Sequence, residues 1–130
     1  MKTKTKNLRL LNNLYSIDTT GQSDEGLICS IRLIGDSPVY KAHFPMQPIT
    51  PGTCIVQMAV EIYESFRGKS IDIVKVKNVK FLNAMIPDSG KVFRYAIEEK
   101  ISDQGMIQLR VTVTSGDVIY AKLSLICKEN

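Results

Sequence analysis

One segment constrains the fold more than any other, because it predicts a helix that is apolar around nearly its whole circumference. The segment runs from residue 50 to residue 66, and its apolar residues are Cys54, Ile55, Val56, Met58, Ala59, Val60, Ile62, Tyr63 and Phe66. The polar residues form one narrow stripe at helical spacing: Gln57, Glu61, Glu64 and Ser65. Because such a helix is too apolar for a surface, the rest of the chain is expected to enclose it.

The sequence also predicts both ends of this helix. Thr50 is suited to the N-cap position, and Pro51 is suited to the first helical position, where a missing N–H costs nothing. Gly68 follows the last apolar residue, and we expect it to end the helix before the next strand begins.

The second half of the chain has the two-residue alternation of half-buried strands. Residues 107–114 place one apolar set on a single face: Ile107, Leu109, Val111 and Val113. Residues 118–127 do the same with Ile119, Ala121, Leu123, Leu125 and Cys127. Between these two segments, the sequence Ser115-Gly116-Asp117 predicts a tight hairpin.

Three more segments complete the predicted strands. Residues 91–101 alternate in the same way and are followed by a turn at residues 102–105. Residues 71–82 form another strand, whose alternation slips once near Asn78 and so indicates a bulge or a twist. An opening hairpin is expected from residues 14–20 and 27–34. The sequence therefore predicts an α+β fold with one helix among about six strands.

The composition indicates one globular domain over residues 1–130, with residues 1–7 as a basic, flexible tail. Apolar residues make up 44% of the chain and charged residues 23%, and no apolar stretch reaches the length of a membrane helix. The basic N-terminus lacks the long apolar core of a signal peptide, so we expect a cytoplasmic location and no membrane partner.

The net charge of +4 is too small and too scattered to indicate a nucleic-acid partner. The three cysteines (Cys29, Cys54 and Cys127) lack the paired spacing of a metal site, so we expect no metal and interpret them as reduced and packed like small apolar residues.

The residues before and within the predicted helix resemble a known signature. The sequence HFPMQPITPGTCIVQMAVE is similar to the motif HFPGxPxxPGxLxxEAxAQ of the 3-hydroxyacyl-(acyl-carrier-protein) dehydratases, which have the hot-dog fold. Six positions match in register: His43, Phe44, Pro45, Pro48, Pro51 and Gly52. The likeness continues more weakly through NVKFLNAMIPDSG and covers roughly residues 38 to 127. It implies a curled antiparallel sheet of about six strands that is wrapped around one central helix.

The resemblance also implies a reaction and roles for single residues. His43 would remove the proton next to the thioester carbonyl, and backbone N–H groups at the start of the helix would stabilise the enolate-like oxygen. Gly52 would let the thioester approach those N–H groups, and Phe44 and Pro51 would help to bind it. In the family, a carboxyl group on the helix then protonates the departing hydroxyl.

The chain departs from the family at that carboxyl group. Gln57 stands where the family has an acidic residue, and Glu61 stands where the family has a glutamine, so the two residue types are exchanged. Met46 also replaces a glycine of the motif. A glutamine amide can donate a hydrogen bond but not a proton near neutral pH, and the loss of a general acid costs about 10²- to 10⁴-fold in rate.

Three readings of Gln57 therefore stay open. His43 can act as both base and acid, Glu61 can replace the missing acid from one helical turn away, or the protein can bind acyl thioesters without dehydrating them. Structural explanations also remain for each residue. His43 and Gln57 can be structural, Glu61 can be a solvated or interface carboxylate, and Cys54 can be plain packing.

The sequence favours a 3-hydroxyacyl thioester dehydratase of fatty-acid-like biosynthesis. The alternatives are a catalytically impaired acyl-thioester binding protein and a hot-dog thioesterase. No metal or redox cofactor is expected, because the phosphopantetheine of acyl carrier protein or coenzyme A would bring the substrate. We expect acyl carrier protein as a partner and at least a homodimer, because edge-to-edge pairing removes exposed sheet edges and because the family builds its site from two subunits.

Overall fold

Six antiparallel strands and two helices make up the described part of the chain, which comprises residues 9–42, 46–88 and 90–130 of the computed structural model. The strands are β1 (Tyr15–Ser23), β2 (Gly26–Leu33), β3 (Ile71–Phe81), β4 (Phe93–Ile101), β5 (Ile107–Ser115) and β6 (Val118–Glu129). The helices are α1 (Pro38–Ala42) and α2 (Gly52–Arg67). All strands belong to one sheet in the order β1-β2-β4-β5-β6-β3. The predicted α+β class is confirmed, and α1 is an element that the sequence did not predict.

Helix α2 lies against one face of this sheet, and the core is the layer between them. The hydroxyl of Tyr95 in β4 donates to the carbonyl oxygen of Ile55 at 3.1 Å, and the hydroxyl of Tyr63 donates to Glu99 near the other end of the helix. The strands contribute the apolar residues that their alternation predicts: Phe93, Tyr95, Ile97, Ile107, Leu109, Val111, Val113, Ala121, Leu123, Leu125 and Cys127. Burial of each large side chain in this layer contributes about 1.5–3 kcal/mol.

Strand β6 departs from its predicted face at one end. Val113 pairs with Ala121, but Thr114 pairs with Ile119, so the register of β5 and β6 shifts at this point. As a result Tyr120 is buried and Ile119 is 37% exposed, which makes the prediction for Ile119 wrong. A register shift of one residue exchanges the two faces of a strand.

Strand β3 is an edge of the sheet and pairs only with β6. The predicted irregularity near Asn78 is confirmed, and a second one lies between Ile73 and Lys75. Most of the strand is exposed, including Val74 and Val76. Ile71 belongs to the core and Val79 packs against it, whereas Val74 and Val76 face away from it.

The predicted end of α2 is confirmed, whereas the predicted N-cap is wrong. Gly68 ends the helix in the left-handed conformation with φ of 70°, as expected. Thr50 does not cap the helix, because its hydroxyl is hydrogen-bonded to the hydroxyl of Tyr40 at 2.8 Å. Pro51 takes the N-cap position without a side-chain hydrogen bond, and Gly52 is the first helical residue.

One face of α2 is left open by the described residues. Thr53 and Gln57, one turn apart in the first half of the helix, are exposed, and so are Ser65 and Phe66 near its end. Gln57 and Ser65 belong to the predicted polar stripe, and of the predicted apolar set only Phe66 is exposed. No helix in residues 9–42, 46–88 and 90–130 is long and apolar enough to cross a membrane.

Candidate active site

The first turn of α2 presents hydrogen-bond donors that the described chain does not use. The N–H groups of Cys54 and Ile55 donate to the carbonyl oxygen of Pro51 at 2.9 and 3.1 Å. For the N–H groups of Gly52 and Thr53, no acceptor lies among the described residues. The first N–H groups of a helix carry a partial positive charge, so this turn can bind a developing negative charge.

A small apolar pocket lies beside these donors. Its volume is about 310 Å³, and its lining includes Thr50, Gly52, Ile55, Phe81 and Met85. The ring of Phe81 packs directly on Gly52, because a Cβ atom at this position would lie 2.7 Å from two of the ring carbons. The predicted role of Gly52 in the approach of a thioester stays a prediction, and in this structure the ring of Phe81 lies against Gly52.

His43 and Phe44 lie outside the described residues, so their site roles stay predictions. The elements on either side of them are described. Tyr40 in α1 and Thr50 before α2 are both buried, and the hydrogen bond between their hydroxyls joins the two ends of the segment that carries His43. The main-chain N–H of Thr50 also donates to the carbonyl oxygen of Met85 at 2.9 Å.

Gln57 and Glu61 form a direct contact on α2. The side-chain Nε2 of Gln57 donates to Oε2 of Glu61 at 3.2 Å. Gln57 is exposed, whereas Glu61 is 0% exposed. The two residues that the chain exchanges relative to the dehydratase motif are thus one hydrogen-bonded pair.

Glu61 is held by the segment that precedes β1. Its carboxylate accepts hydrogen bonds from the main-chain N–H groups of Leu10, at 2.9 and 3.1 Å, and of Leu11, at 2.9 Å. The hydroxyl of Tyr15 donates at 3.2 Å. Burial, and after it the charge of Glu61, raise the pKa of Tyr15, so the phenol stays protonated and remains a donor.

This arrangement corrects one interpretation of Glu61. The reading of Glu61 as a solvated carboxylate is wrong, because the carboxylate is buried and bound by protein donors. Its predicted role as a replacement acid stays a prediction. To reach a substrate the carboxylate would have to leave the N–H groups that hold it.

The cysteines are unpaired, as the sequence predicts. Burial raises the pKa of Cys29 and of Cys127 to about 11, so neither is a thiolate near neutral pH. Cys54 is half-buried in the first turn of α2. Burial, followed by the charge of Glu61, also raises the pKa of Cys54, which favours the packing role over a reactive one.

Comparison with known proteins agrees with the fold and the motif. The family model of the ApeI-like proteins, described as ApeI dehydratase, matches residues 19–121. The chain belongs to the ApeI-like dehydratase family. This match includes the helix, the exchanged pair and the motif residues, and it confirms the dehydratase resemblance.

Two curated relatives of this ApeI-like chain are 3-hydroxyacyl-[acyl-carrier-protein] dehydratases named FabZ. The protein of Ruminiclostridium cellulolyticum is 28% identical over 94 residues, which cover 67% of the chain and 65% of the relative. The protein of Caulobacter vibrioides is 25% identical over 96 residues, with 67% and 59% covered. The chain therefore spans less than two thirds of the length of either relative.

Two solved structures confirm the hot-dog fold of the ApeI-like chain. The dehydratase heterocomplex ApeI:P of Xenorhabdus doucetiae has a TM-score of 0.64 at 14% identity, with 87% of this chain and 97% of that chain covered. A hypothetical thioesterase of Streptococcus pneumoniae, solved with coenzyme A, has a TM-score of 0.60 at 11% identity, with 89% and 85% covered. At such identities the likeness shows the fold alone.

A larger cleft of the ApeI-like chain lies at the other end of α2. Its volume is about 550 Å³, and its lining includes Leu27, Tyr63, Phe66, Ile97 and Glu99. Of the motif residues that the structure describes, which are Pro48, Pro51 and Gly52, none lines it. We therefore place the candidate site at the smaller pocket, where the free donors and the motif coincide.

Two basic side chains of the ApeI-like chain, Arg67 and Lys91, contact other side chains of the same chain. Arg67 bonds to Glu129 and lies 3.6 Å from Glu99. The amino group of Lys91 donates to the hydroxyl of Tyr120 at 3.0 Å. These contacts indicate structural roles for Arg67 and Lys91.

Sequence reasoning missed the residues that support the site. Tyr40, Tyr15 and the amides of Leu10 and Leu11 contact site residues that lie 10 to 51 positions away in the chain. The pattern of a single sequence carries no signal for such contacts.

Proposed function

We propose that this ApeI-like protein dehydrates 3-hydroxyacyl thioesters to 2-enoyl thioesters, with the substrate carried on acyl carrier protein or coenzyme A. The observation that carries the proposal is the family match over residues 19–121, which includes His43 and the Pro51-Gly52 start of α2. No metal or redox cofactor takes part in the proposed reaction. The carrier brings the phosphopantetheine arm.

The N–H groups of Gly52 and Thr53, for which the described residues offer no acceptor, support the first step. The thioester carbonyl oxygen would accept hydrogen bonds from them and gain negative charge as the α-proton leaves. Donors that are fixed before the reaction stabilise such an oxygen strongly, and removal of one typically costs about 10²- to 10³-fold in rate. The apolar pocket beside Gly52 would take acyl carbons beyond C3.

His43 would carry both proton transfers. Its neutral imidazole takes the α-proton, the C–H electron pair becomes the C2–C3 double bond, and the bond from C3 to the hydroxyl oxygen breaks. The imidazolium then returns the proton to the departing hydroxide, which leaves as water. Two observations support this assignment: Gln57 has no proton to give, and the carboxylate of Glu61 is buried and bound to other donors.

The exposed edge of β3 supports assembly of two chains. Val74 and Val76 lie exposed on this edge strand, next to the exposed Phe81 that covers Gly52. Pairing of two β3 edges would bury these side chains and join the two sheets. In the dehydratase motif the histidine and the helix residue come from different subunits, so the pair would also complete each site.

A second candidate function is favoured by Gln57 alone. Without a proton donor on the helix, the protein would bind acyl thioesters and not dehydrate them. A heterocomplex such as ApeI:P of Xenorhabdus doucetiae indicates a related possibility, in which a different chain supplies the missing acid. A thioesterase is less favoured, because Glu61, the helix carboxylate that would activate water, is buried.

Turnover of short and medium 3-hydroxyacyl and 2-enoyl thioesters tests the proposal. We expect the purified chain to interconvert them, and we expect His43→Ala to lower the rate by about 10²-fold or more. Asp103→Asn, in the exposed turn between β4 and β5, serves as the matched control and should leave the rate unchanged. An inert wild type that still binds the thioesters would support the binding-protein alternative.

A further inference from the structure

The contact between Gln57 and Glu61 fixes which atom of the Gln57 amide faces outward. An ionised carboxylate only accepts hydrogen bonds, so the amide must turn its Nε2 group toward Glu61. The 3.2 Å contact joins Nε2 of Gln57 and Oε2 of Glu61. Oε1 of Gln57 is then left on the exposed side, and no donor among the described residues contacts it.

Glu61 can orient the amide of Gln57 because the position of its own carboxylate is fixed. Two main-chain N–H groups and one phenol hold the carboxylate, and it is completely buried. Its Oε1 atom accepts from Leu10, Leu11 and Tyr15. Its Oε2 atom faces Leu10 and Gln57. The carboxylate cannot rotate away from Gln57 without losing these donors.

We propose that Glu61 is a positioning residue that makes Gln57 present a hydrogen-bond acceptor to the acyl chain, so that the site selects thioesters with a hydrogen-bond donor on C3. This inference rests on the proposed function, because it assumes that acyl thioesters bind over the start of α2. A 3-hydroxyl group is such a donor. A 3-keto group accepts only, and a saturated C3 offers no polar group.

The position of Gln57 agrees with this role. Gln57 and Thr53 are one turn apart on the open face of α2, and the N–H group of Thr53 has no acceptor in the part of the chain that the structure describes. A thioester whose carbonyl oxygen lies at the first turn would extend its acyl carbons along the helix. Beyond the hydroxyl of Thr53, the outward Oε1 atom of Gln57 would then be the next acceptor on that face.

The structure also predicts how the preference can be reversed. In Glu61→Gln the carbonyl oxygen of the new amide would occupy the Oε1 position, where three donors converge. Its nitrogen would take the Oε2 position, where the N–H of Leu10 would keep only its contact with the carbonyl oxygen, and it would donate to Oε1 of Gln57. Gln57 would turn its Nε2 group outward and become a donor, which favours an acceptor on C3.

Binding of three pantetheine thioesters tests the proposal. The 3-hydroxybutyryl, butyryl and acetoacetyl forms are titrated by calorimetry against chains that also carry His43→Ala, which stops turnover. We expect the hydroxyl form to bind about three- to tenfold more tightly than the butyryl form, as for one added hydrogen bond. In Gln57→Leu this preference should vanish, and in Glu61→Gln it should move toward the acetoacetyl form.

Tyr15→Phe is the matched control. It removes one donor from Glu61 and leaves the contact with Gln57 in place, so it should lower the melting temperature without changing the order of the three ligands. A structural role of Glu61 alone would weaken all three ligands equally. That result, an unchanged preference in Glu61→Gln, or no binding of any thioester would overturn the inference.

The same titrations separate this inference from the proposed function. A hydroxyl preference in a protein that is inert in the turnover assay would support the positioning role and overturn the dehydratase proposal. Turnover of the wild type without any hydroxyl preference would support the dehydratase proposal and overturn the positioning role.

Discussion

At residue 52 the missing side chain matters, because the ring of Phe81 occupies the space that a Cβ atom would need. The distance from such a Cβ atom to two ring carbons would be 2.7 Å, which is shorter than any ordinary contact. The same ring is 49% exposed and lines the small pocket. A side chain at residue 52 would therefore displace the Phe81 ring and change both the pocket and the surroundings of the Gly52 N–H group.

We predict that Gly52→Ala lowers the free energy of unfolding by about 1–2 kcal/mol and weakens turnover, because the Phe81 ring must move. Adding Phe81→Leu removes the two ring carbons involved and should restore much of the stability. Urea unfolding of the single and double variants measures this. Equal losses in both variants would show that the ring is not the cause.

Residues of the site differ in how far the sequence could predict them. The Pro51-Gly52 start of α2 follows from a local motif, and the structure contains it. The burial of Glu61 could not be predicted, because its partners are main-chain N–H groups that lie about 50 residues earlier. The prediction of Thr50 as the N-cap is wrong, because its hydroxyl is hydrogen-bonded to the hydroxyl of Tyr40.

At the scale of elements, the junction of β2 and β4 depends on Gly26. Its φ is 99°, and a Cβ atom there would lie 2.3 Å from the carbonyl oxygen of Ile97 in β4. Gly21 in β1 has neither constraint, because its φ is not positive and nothing lies within 4 Å of its would-be Cβ atom. The two glycines thus form a matched pair.

We predict that Gly26→Ala lowers the free energy of unfolding by about 2 kcal/mol or more, because it adds backbone strain and a main-chain clash. Gly21→Ala should change it by less than about 0.5 kcal/mol. Urea unfolding of both variants measures the difference. A mild effect at Gly26 would mean that β2 can move away from β4 at little cost.

The strands were predictable where the alternation is regular and less so where it is interrupted. The inward faces of β4 and β5 agree with the prediction from Phe93 to Ile97 and from Ile107 to Val113, whereas Ile101 at the end of β4 is exposed. In β6 the bulge opposite Thr114 moved Tyr120 inward and Ile119 outward. Bulges depend on the pairing of two strands, so the pattern of a single strand cannot locate them reliably.

At the scale of the whole molecule, the exposed edge of β3 is the surface where we expect a second chain to pair. Val76 is 49% exposed on this edge, and Ile101 at the end of β4 is 48% exposed. The two side chains are therefore equally exposed in one chain but differ in their place in the sheet. They allow the proposed dimer to be tested with a matched substitution.

We predict that Val76→Lys converts the proposed dimer to a monomer, because it adds a charge where two β3 edges would meet. Ile101→Lys should leave the dimer intact. Light scattering after size exclusion measures the mass of each variant. If Val76→Lys remains dimeric, the chains associate through another surface.

In the proposed mechanism His43 carries both proton transfers while Gln57 only accepts a hydrogen bond. The dependence of kcat/KM on pH tests it most directly, in the wild type and in Gln57→Glu. For the wild type we expect a single rise near the ordinary pKa of histidine, about 6.5, and a plateau to pH 9. For Gln57→Glu we expect a falling limb as well, because a carboxyl group that acts as an acid must stay protonated. A falling limb in the wild type would show that another group donates the proton and would contradict this mechanism.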